Sequence, residues 1–261
     1  MRRDAMSETT LRLDRVGPVA TVTLDRPDRG NAISMTMVRE LEQLCHLLED
    51  EAAERVLVLR GAGGTFCSGI DLLDFPPEAK PDIRGFSRWE KACRTIERLP
   101  MVTIAAIDGE CVGGGLQLAL TCDARVATER ASFQLHEVRD GFLPGMGTFR
   151  LAKFIGLGRA RFMAMTGRRV AAGEAFELGI VDRVCPAAGL DAAVGATIAA
   201  FGEIHRDAVE LARRLFDESF EIPYEDFLGC FLAAQHRAIQ SEAFKALVRE
   251  AHERGVPRPR R

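Results

Sequence analysis

The stretch MVTIAAIDGECVGGGLQLALTCDARVAT, residues 101–128, holds the pattern from which the fold can be read. Its first nine residues form an apolar run ending on a glycine, the composition of a strand buried on both faces of a parallel sheet. Gly113, Gly114 and Gly115 then open a helical segment that runs to about Thr121, and ARVAT at 124–128 reads as the next strand. Strand, glycine turn, helix and strand in succession are the unit of an α/β fold whose crossover helices cover a sheet.

The same alternation extends in both directions. Upstream, VLVLRG at 56–61 is a second buried run. LRLDRV at 11–16 and VATVTL at 19–24 are β-like segments split by Gly17 and Pro18, and the second alternates apolar residues with Thr as a half-buried strand does. Helical spacing is expected from 34 to about 53, with Ser34 as cap, and from about 86 to 99, where Pro100 stops it. Residues 26–31 and 72–83 read as loops. Beyond Leu190 the pattern becomes helical without strands, so the expected organisation is a core at 1–189, a helical region at 190–254 and a disordered basic tail at 255–261.

Composition narrows the function classes. The 35 Lys and Arg are interspersed with 38 Asp and Glu for a net charge of −3, which leaves no electrostatic footprint for nucleic acid or an anionic membrane. Seven cysteines, an odd number with no C-x-x-C pair, argue against a disulfide framework or a metal centre and for a reducing compartment. No apolar run follows Arg2 and Arg3, and none approaches the length of a membrane span, so a soluble cytoplasmic protein is expected.

Two glycine-rich turns follow strands: GAGGTFCSGIDL at 61–72 and DGECVGGGLQLALTCD at 108–123. Neither continues into the G-K-[ST] of a phosphate loop, and Gly61, Gly63 and Gly64 lack dinucleotide-binding spacing. What remains is glycine used for close backbone approach or positive φ. Three glycines opening a helix expose unpaired N–H groups to any negative charge that develops nearby. Local chemistry allows a plain tight turn on equal terms.

Four motifs, FCSGIDL, DGECVGGGLQLALTCD, ASFQLHEVRDGFLPGMGT and MTGRRVAAGEAFELGIVDRV, occur in an order that resembles the enoyl-CoA hydratase/isomerase family, the crotonases, over roughly residues 11–186. The resemblance implies the crotonase-type ββα superhelix, with two near-perpendicular sheets and a helical C-terminal region that builds homotrimers or hexamers. It implies an acyl-CoA (or carrier-protein-bound acyl) substrate, with coenzyme A entering as part of the substrate and no separate cofactor or metal. The backbone N–H groups of Ile70 and Gly114 would form the oxyanion hole. Arg29 would meet a coenzyme A phosphate, although Asp28 stands where the family often carries lysine, and Ser68, Asp71 and Leu72 would lie along the coenzyme A site.

One departure bears on the reaction. Hydratases of this family use two glutamates, and here the first position is Gln117 and the second Glu137. An amide orients water but cannot take its proton. The expected chemistry is therefore a 3-enoyl to 2-enoyl double-bond shift by Glu137 alone. The alternatives are a hydratase or dehydratase in which Gln117 positions water, and a non-catalytic acyl-CoA-binding member. Glu137 is expected at a strand end with His136 on the opposite face. Asp140 is expected to form a turn before Gly141, Cys67 and Ser68 lack a nucleophile elbow, and Phe86 and Trp89 are expected either to line an acyl pocket or to pack a helix face.

Overall fold

The computed structural model describes residues 9–50, 54–74, 83–202 and 205–255. Among the described residues, nine strands run β1 (Leu11–Val16), β2 (Val19–Leu24), β3 (Val56–Gly61), β4 (Val102–Ile107), β5 (Glu110–Val112), β6 (Ala124–Thr128), β7 (Ser132–Gln134), β8 (Val170–Ala171) and β9 (Arg183–Cys185). The helices are α1 (Met35–Asp50), α2 (Ile83–Arg98), α3 (Gly114–Leu120), α4 (Gly147–Ile155), α5 (Leu157–Thr166), α6 (Ala172–Leu178), α7 (Leu190–Phe201), α8 (Arg206–Glu218), α9 (Tyr224–Ile239) and α10 (Glu242–Arg254).

The larger sheet has the order β1-β2-β3-β4-β6-β9. Gly17 and Pro18 fold β1 back on β2, so Leu11 faces Leu24 in an antiparallel pair; every later pairing in this sheet is parallel. The central β4, VTIAAI, is buried at all six positions, as its continuous apolar run requires of a strand covered on both faces. The second sheet, β5-β7-β8, takes off two residues after β4 ends. Two sheets linked by crossover helices are thus present, and the expected strands at 11–16, 19–24 and 56–61 fall where the sequence places them.

Ser34 caps α1 as expected: its Oγ accepts the Met37 N–H at 3.1 Å. Met37, Val38, Leu41, Cys45 and Leu48 recur at helical spacing and bury one stripe of α1 against α2 and the sheet. α2 begins at Ile83, earlier than the apolar periodicity suggests, and its buried face is Trp89, Ala92, Cys93 and Ile96. The expected loop at 72–83 is in part a 3₁₀ turn at Leu72–Asp74, and residues 75–82 lie outside the described residues. Arg150 of α4 reaches Glu97 at 2.6 Å and Glu90 at 2.9 Å while nearly buried itself, tying α4 to α2. Removing one partner would strand a desolvated charge.

Contacts divide the chain after Gly202. Helix α7 belongs to the first unit because it packs on β4, β6 and β9, whereas the sequence pattern changes at Leu190. The second unit is the helices α8, α9 and α10, with Ser241 capping α10 through the Phe244 N–H. Of the expected basic tail, residues 256–261 lie outside the described residues.

Candidate active site

The site begins with backbone. After β3 the chain runs extended past two different partners. Cys67 donates to Glu110 O and accepts from Val112 N–H, both at 2.9 Å, beside β5. Two residues on, Gly69 O accepts the Ile33 N–H at 2.8 Å and the Asp71 N–H donates to Ile33 O at 3.0 Å. Regular alternation would turn the amides of 67 and 71 to the same side. Gly69, at φ +102°, breaks that alternation; the residues on either side of Ile70 engage Ile33, so the Ile70 N–H is turned away from it, and a Cβ on Gly69 itself would lie 3.4 Å from the Val112 carbonyl oxygen.

There it meets the opening of α3. The Gly113 N–H is used by Gln134 O at 2.9 Å, and the Gly113 carbonyl accepts from Gln117 at 3.0 Å. The Gly114 N–H belongs to the first turn, where no intrahelical acceptor exists. A Cβ on Gly113 would lie 3.7 Å from the Gly69 Cα, so the segments carrying the Ile70 and Gly114 amides press together. The turn has no room for side chains: a Cβ at Gly115 would fall 2.6 Å from the Cys67 carbonyl oxygen, and one at Gly114 would fall 2.6 Å from Ile33 Cδ1. Two N–H groups carried on adjoining segments are the kind of donors that an oxyanion site would need.

Glu137 stands beside this turn, but not on a strand. β7 stops at Gln134, and Glu137 opens a 3₁₀ turn, Glu137–Asp140, closed by Gly141 in the left-handed conformation. The expected strand geometry is corrected accordingly. In a tight turn residues 136 and 140 come together, and His136 Nε2 lies 3.2 Å from Asp140 Oδ2 while Glu137 points inward. Asp140 forms the turn as expected, and its exposed carboxylate is occupied by His136. The Glu137 carboxylate reaches over Gly113, with Oε1 2.8 Å from where a Cβ would sit, and its Oε2 is buried without a hydrogen-bond partner among the described residues. Burial pushes its pKa above the ordinary carboxylate value, against smaller opposing effects from its own backbone N–H and His136. A desolvated carboxylate with a raised pKa is suited to moving protons to and from carbon.

Gln117 lies one helical turn beyond Gly113, so its side chain and Glu137 border the same face of α3. It is nearly buried under the 145–147 bend; a Cβ on Gly145 would sit 3.0 Å from its Nε2. Its Oε1 is likewise buried without a partner among the described residues. Trp89 extends to within 3.8 Å of where a Gly114 Cβ would be, and Phe86 meets Phe142 with ring centroids 5.5 Å apart. Trp89 thus packs a helix face and walls the site at once.

The remaining expected residues form a strip along the 26–31 and 68–74 loops. Arg29 is exposed on a 3₁₀ turn, and its carbonyl accepts from Ser68 Oγ at 3.5 Å. Leu72 is exposed. Asp71 is buried, and its carboxylate holds Arg26 at 2.8 Å and the Leu73 N–H at 3.1 Å, so what it offers the strip is position. Sequence reading missed Asn31. This buried side chain, at φ +55°, accepts from Arg26 N and donates to Ala62 O and Thr65 O, pinning the two loops together. An Asn after Gly30 in a loop was the available signal. Cys67 is fully buried and its thiol is pushed up to about 12 by desolvation, which removes it as a nucleophile.

The model of one family, "Enoyl-CoA hydratase/isomerase", matches residues 14–256. The chain belongs to the enoyl-CoA hydratase/isomerase family. A Bacillus subtilis protein named as an enoyl-CoA hydratase/isomerase is 41% identical over 170 residues, 64% of this chain and 65% of that one, so the match spans just under two thirds of that relative's length. The crystal structure of an enoyl-CoA hydratase from Bacillus anthracis superimposes with a TM-score of 0.87 at 31% identity, covering 95% of this chain and 97% of the other. A Thermobifida fusca structure in complex with acetoacetyl-CoA gives 0.79 at 30% identity, covering 88% and 95%. The fold is therefore the crotonase fold, with the helical C-terminal region expected of this hydratase/isomerase family.

Proposed function

We propose that this protein shifts the double bond of an enoyl thioester from the 3- to the 2-position, with Glu137 as the only acid and base. The observation that carries the reading is the pairing of neighbours around α3: a buried carboxylate over Gly113 and an amide, Gln117, at the other polar position. Glu137 takes a proton from C2 of the 3-enoyl thioester, and the electrons move into the carbonyl and the double bond. The Ile70 and Gly114 N–H groups hold the dienolate oxygen. Glu137, now a carboxylic acid, returns the proton at C4. No water is consumed, so a second carboxylate is not needed.

The acyl-CoA class rests on family membership and on the Thermobifida fusca relative solved with acetoacetyl-CoA. Arg29 and Ser68 would accompany the coenzyme A moiety, which is part of the substrate, and the chemistry needs no other cofactor. Homotrimeric or hexameric assembly is proposed on the same family grounds, and a cytoplasmic location on the cysteine usage, an odd number with no C-x-x-C pair.

A second reading has an observation behind it. The Bacillus anthracis relative is named a hydratase, and Gln117 Oε1, buried and without a partner among the described residues, would accept a hydrogen bond from a water delivered to C3. Turnover of 3-enoyl-CoA by the wild type and by Glu137→Gln tests the first reading. Loss of a sole acid/base is expected to cost about 10³-fold or more. Full turnover by the variant would move the chemistry to another site, whereas no turnover by the wild type would leave a non-catalytic acyl-CoA-binding role.

A further inference from the structure

The Ile70 N–H is the last group of a hydrogen-bonded row that starts at a half-buried arginine. A trans peptide holds its N–H and C=O on opposite sides of one plane, and no peptide among the described residues is cis. The Ile70 N–H shares a peptide with the Gly69 carbonyl, which accepts the Ile33 N–H at 2.8 Å. The Ile33 N–H in turn shares a peptide with the Ala32 carbonyl, which accepts from Arg26 Nη1 at 2.6 Å. Two peptide units thus lie head to tail between a guanidinium and the Ile70 amide.

The arginine is itself fixed. Its backbone N–H donates to Asn31 Oδ1 at 2.9 Å, and its Nη2 donates to Asp71 Oδ2 at 2.8 Å. The Asp71 N–H donates to Ile33 O at 3.0 Å, so one planar fork spans both strands of the Ile33–Ile70 bridge. Hydrogen bonds in series polarise one another. A cation at the donor end draws electron density from each peptide in turn, which strengthens each N–H further along as a donor. The Ile70 N–H is therefore both aimed, by the plane of its peptide, and made more positive.

We propose that Arg26 is a positioning residue for the enolate step: through Ala32 and Gly69 it orients and polarises the Ile70 N–H without touching the substrate. This deepens the oxyanion-hole reading above and rests on it. The experiment compares the wild type, Arg26→Gln and Asp71→Asn. It measures kcat and KM on 3-enoyl-CoA, and the infrared carbonyl stretch of bound 2-enoyl-CoA labelled with heavy carbon at the thioester. Binding to the wild type is expected to lower the stretch. R26Q is expected to lose a large part of that shift and about tenfold in kcat, a fraction of what a whole donor is worth, with KM within about threefold. D71N breaks the same ion pair but leaves Nη1 on the Ala32 carbonyl, so it should keep most of the shift. Should R26Q fail to fold around a stranded Asp71 carboxylate, R26Q/D71N removes that charge and takes its place.

A full carbonyl shift with wild-type kcat in R26Q would overturn the proposal. So would equal losses in R26Q and D71N, since the pair would then be a structural brace and the row of peptides would carry nothing. A wild type that binds 2-enoyl-CoA without any carbonyl shift would bring down the oxyanion-hole reading itself, and this inference with it.

Discussion

The two halves of the site are made of different material. The turn formed by residues 67–70 and 112–115 presents backbone amides, and its packing is so close that Gly113, Gly114 and Gly115 cannot carry a side chain without displacing a neighbour. The wall facing it, from Gln134 to Gly147, presents side chains: Glu137 on a 3₁₀ turn, Phe142 against Phe86, and the bend that roofs Gln117. On the proposed reading the first half holds a thioester enolate through backbone amides and asks only that residues 113–115 stay without side chains. The second half would then decide where the proton goes. A family can therefore keep one intermediate and vary its products by exchanging a few side chains opposite an unchanged turn.

The sharpest way to break this division is to make the two halves collide. Gly113→Ala puts a methyl 2.8 Å from Glu137 Oε1 at a φ of +55°. It should lower kcat about 10²–10³-fold, through loss of alignment of base and oxyanion donor together. Steady-state rates on 3-enoyl-CoA, with circular dichroism as a fold check, measure it.

Next is Gln117→Glu, which leaves the backbone turn as it is and changes one side chain of α3 under the wall. A second carboxylate, on α3 and facing the turn that carries Glu137, should raise hydration relative to isomerisation by at least about tenfold, read from the product ratio. It should also destabilise the fold by about 1–3 kcal/mol, because the new carboxylate occupies a buried position. An unchanged product ratio would mean that residue 117 does not reach the reacting carbons.

The pH dependence is gentler, and its sign is fixed. Glu137 must start as the carboxylate, and burial raises its pKa. Isomerisation should fall as pH drops through a value above the ordinary carboxylate range. The stability linkage runs the other way. A carboxyl with a raised folded-state pKa stabilises the fold when protonated and loses that contribution as pH rises through the folded value. At neutral pH, Glu137→Gln should therefore be more stable than the wild type, by about 0.5–2 kcal/mol in chemical denaturation.

The smallest effect belongs to the backbone half. Ile70→Val changes the side chain and leaves the N–H in place, so kcat/KM should stay within about threefold of the wild type. A large loss would show that the Ile70 side chain, and not its amide, matters.

Much of the first half was legible in the sequence because glycine is informative: few other reasons place three in a row after a buried strand. The strands at 56–61 and 101–109 were equally plain, since parallel strands buried on both faces are continuous apolar runs. The wall was harder to read. Nothing local distinguishes a strand end at Glu137 from a 3₁₀ turn, and that difference decides that His136 pairs with Asp140 while Glu137 turns inward. The role of Asn31, which stitches Ala62 and Thr65 to the 26–31 loop, depends on a contact between segments some thirty residues apart. The engagement of Asp71 with Arg26 is of the same kind, a long-range pairing that spacing does not encode.

The claim on which the rest depends is that one base moves one proton across the face of an enolate. Incubation with 2-enoyl-CoA and 3-enoyl-CoA in heavy-oxygen water, followed by mass analysis of the products, tests it most directly. The account predicts interconversion of the two enoyl thioesters with no heavy oxygen incorporated into the acyl chain. A labelled 3-hydroxyacyl-CoA formed at a comparable rate would contradict it and transfer the site to hydration.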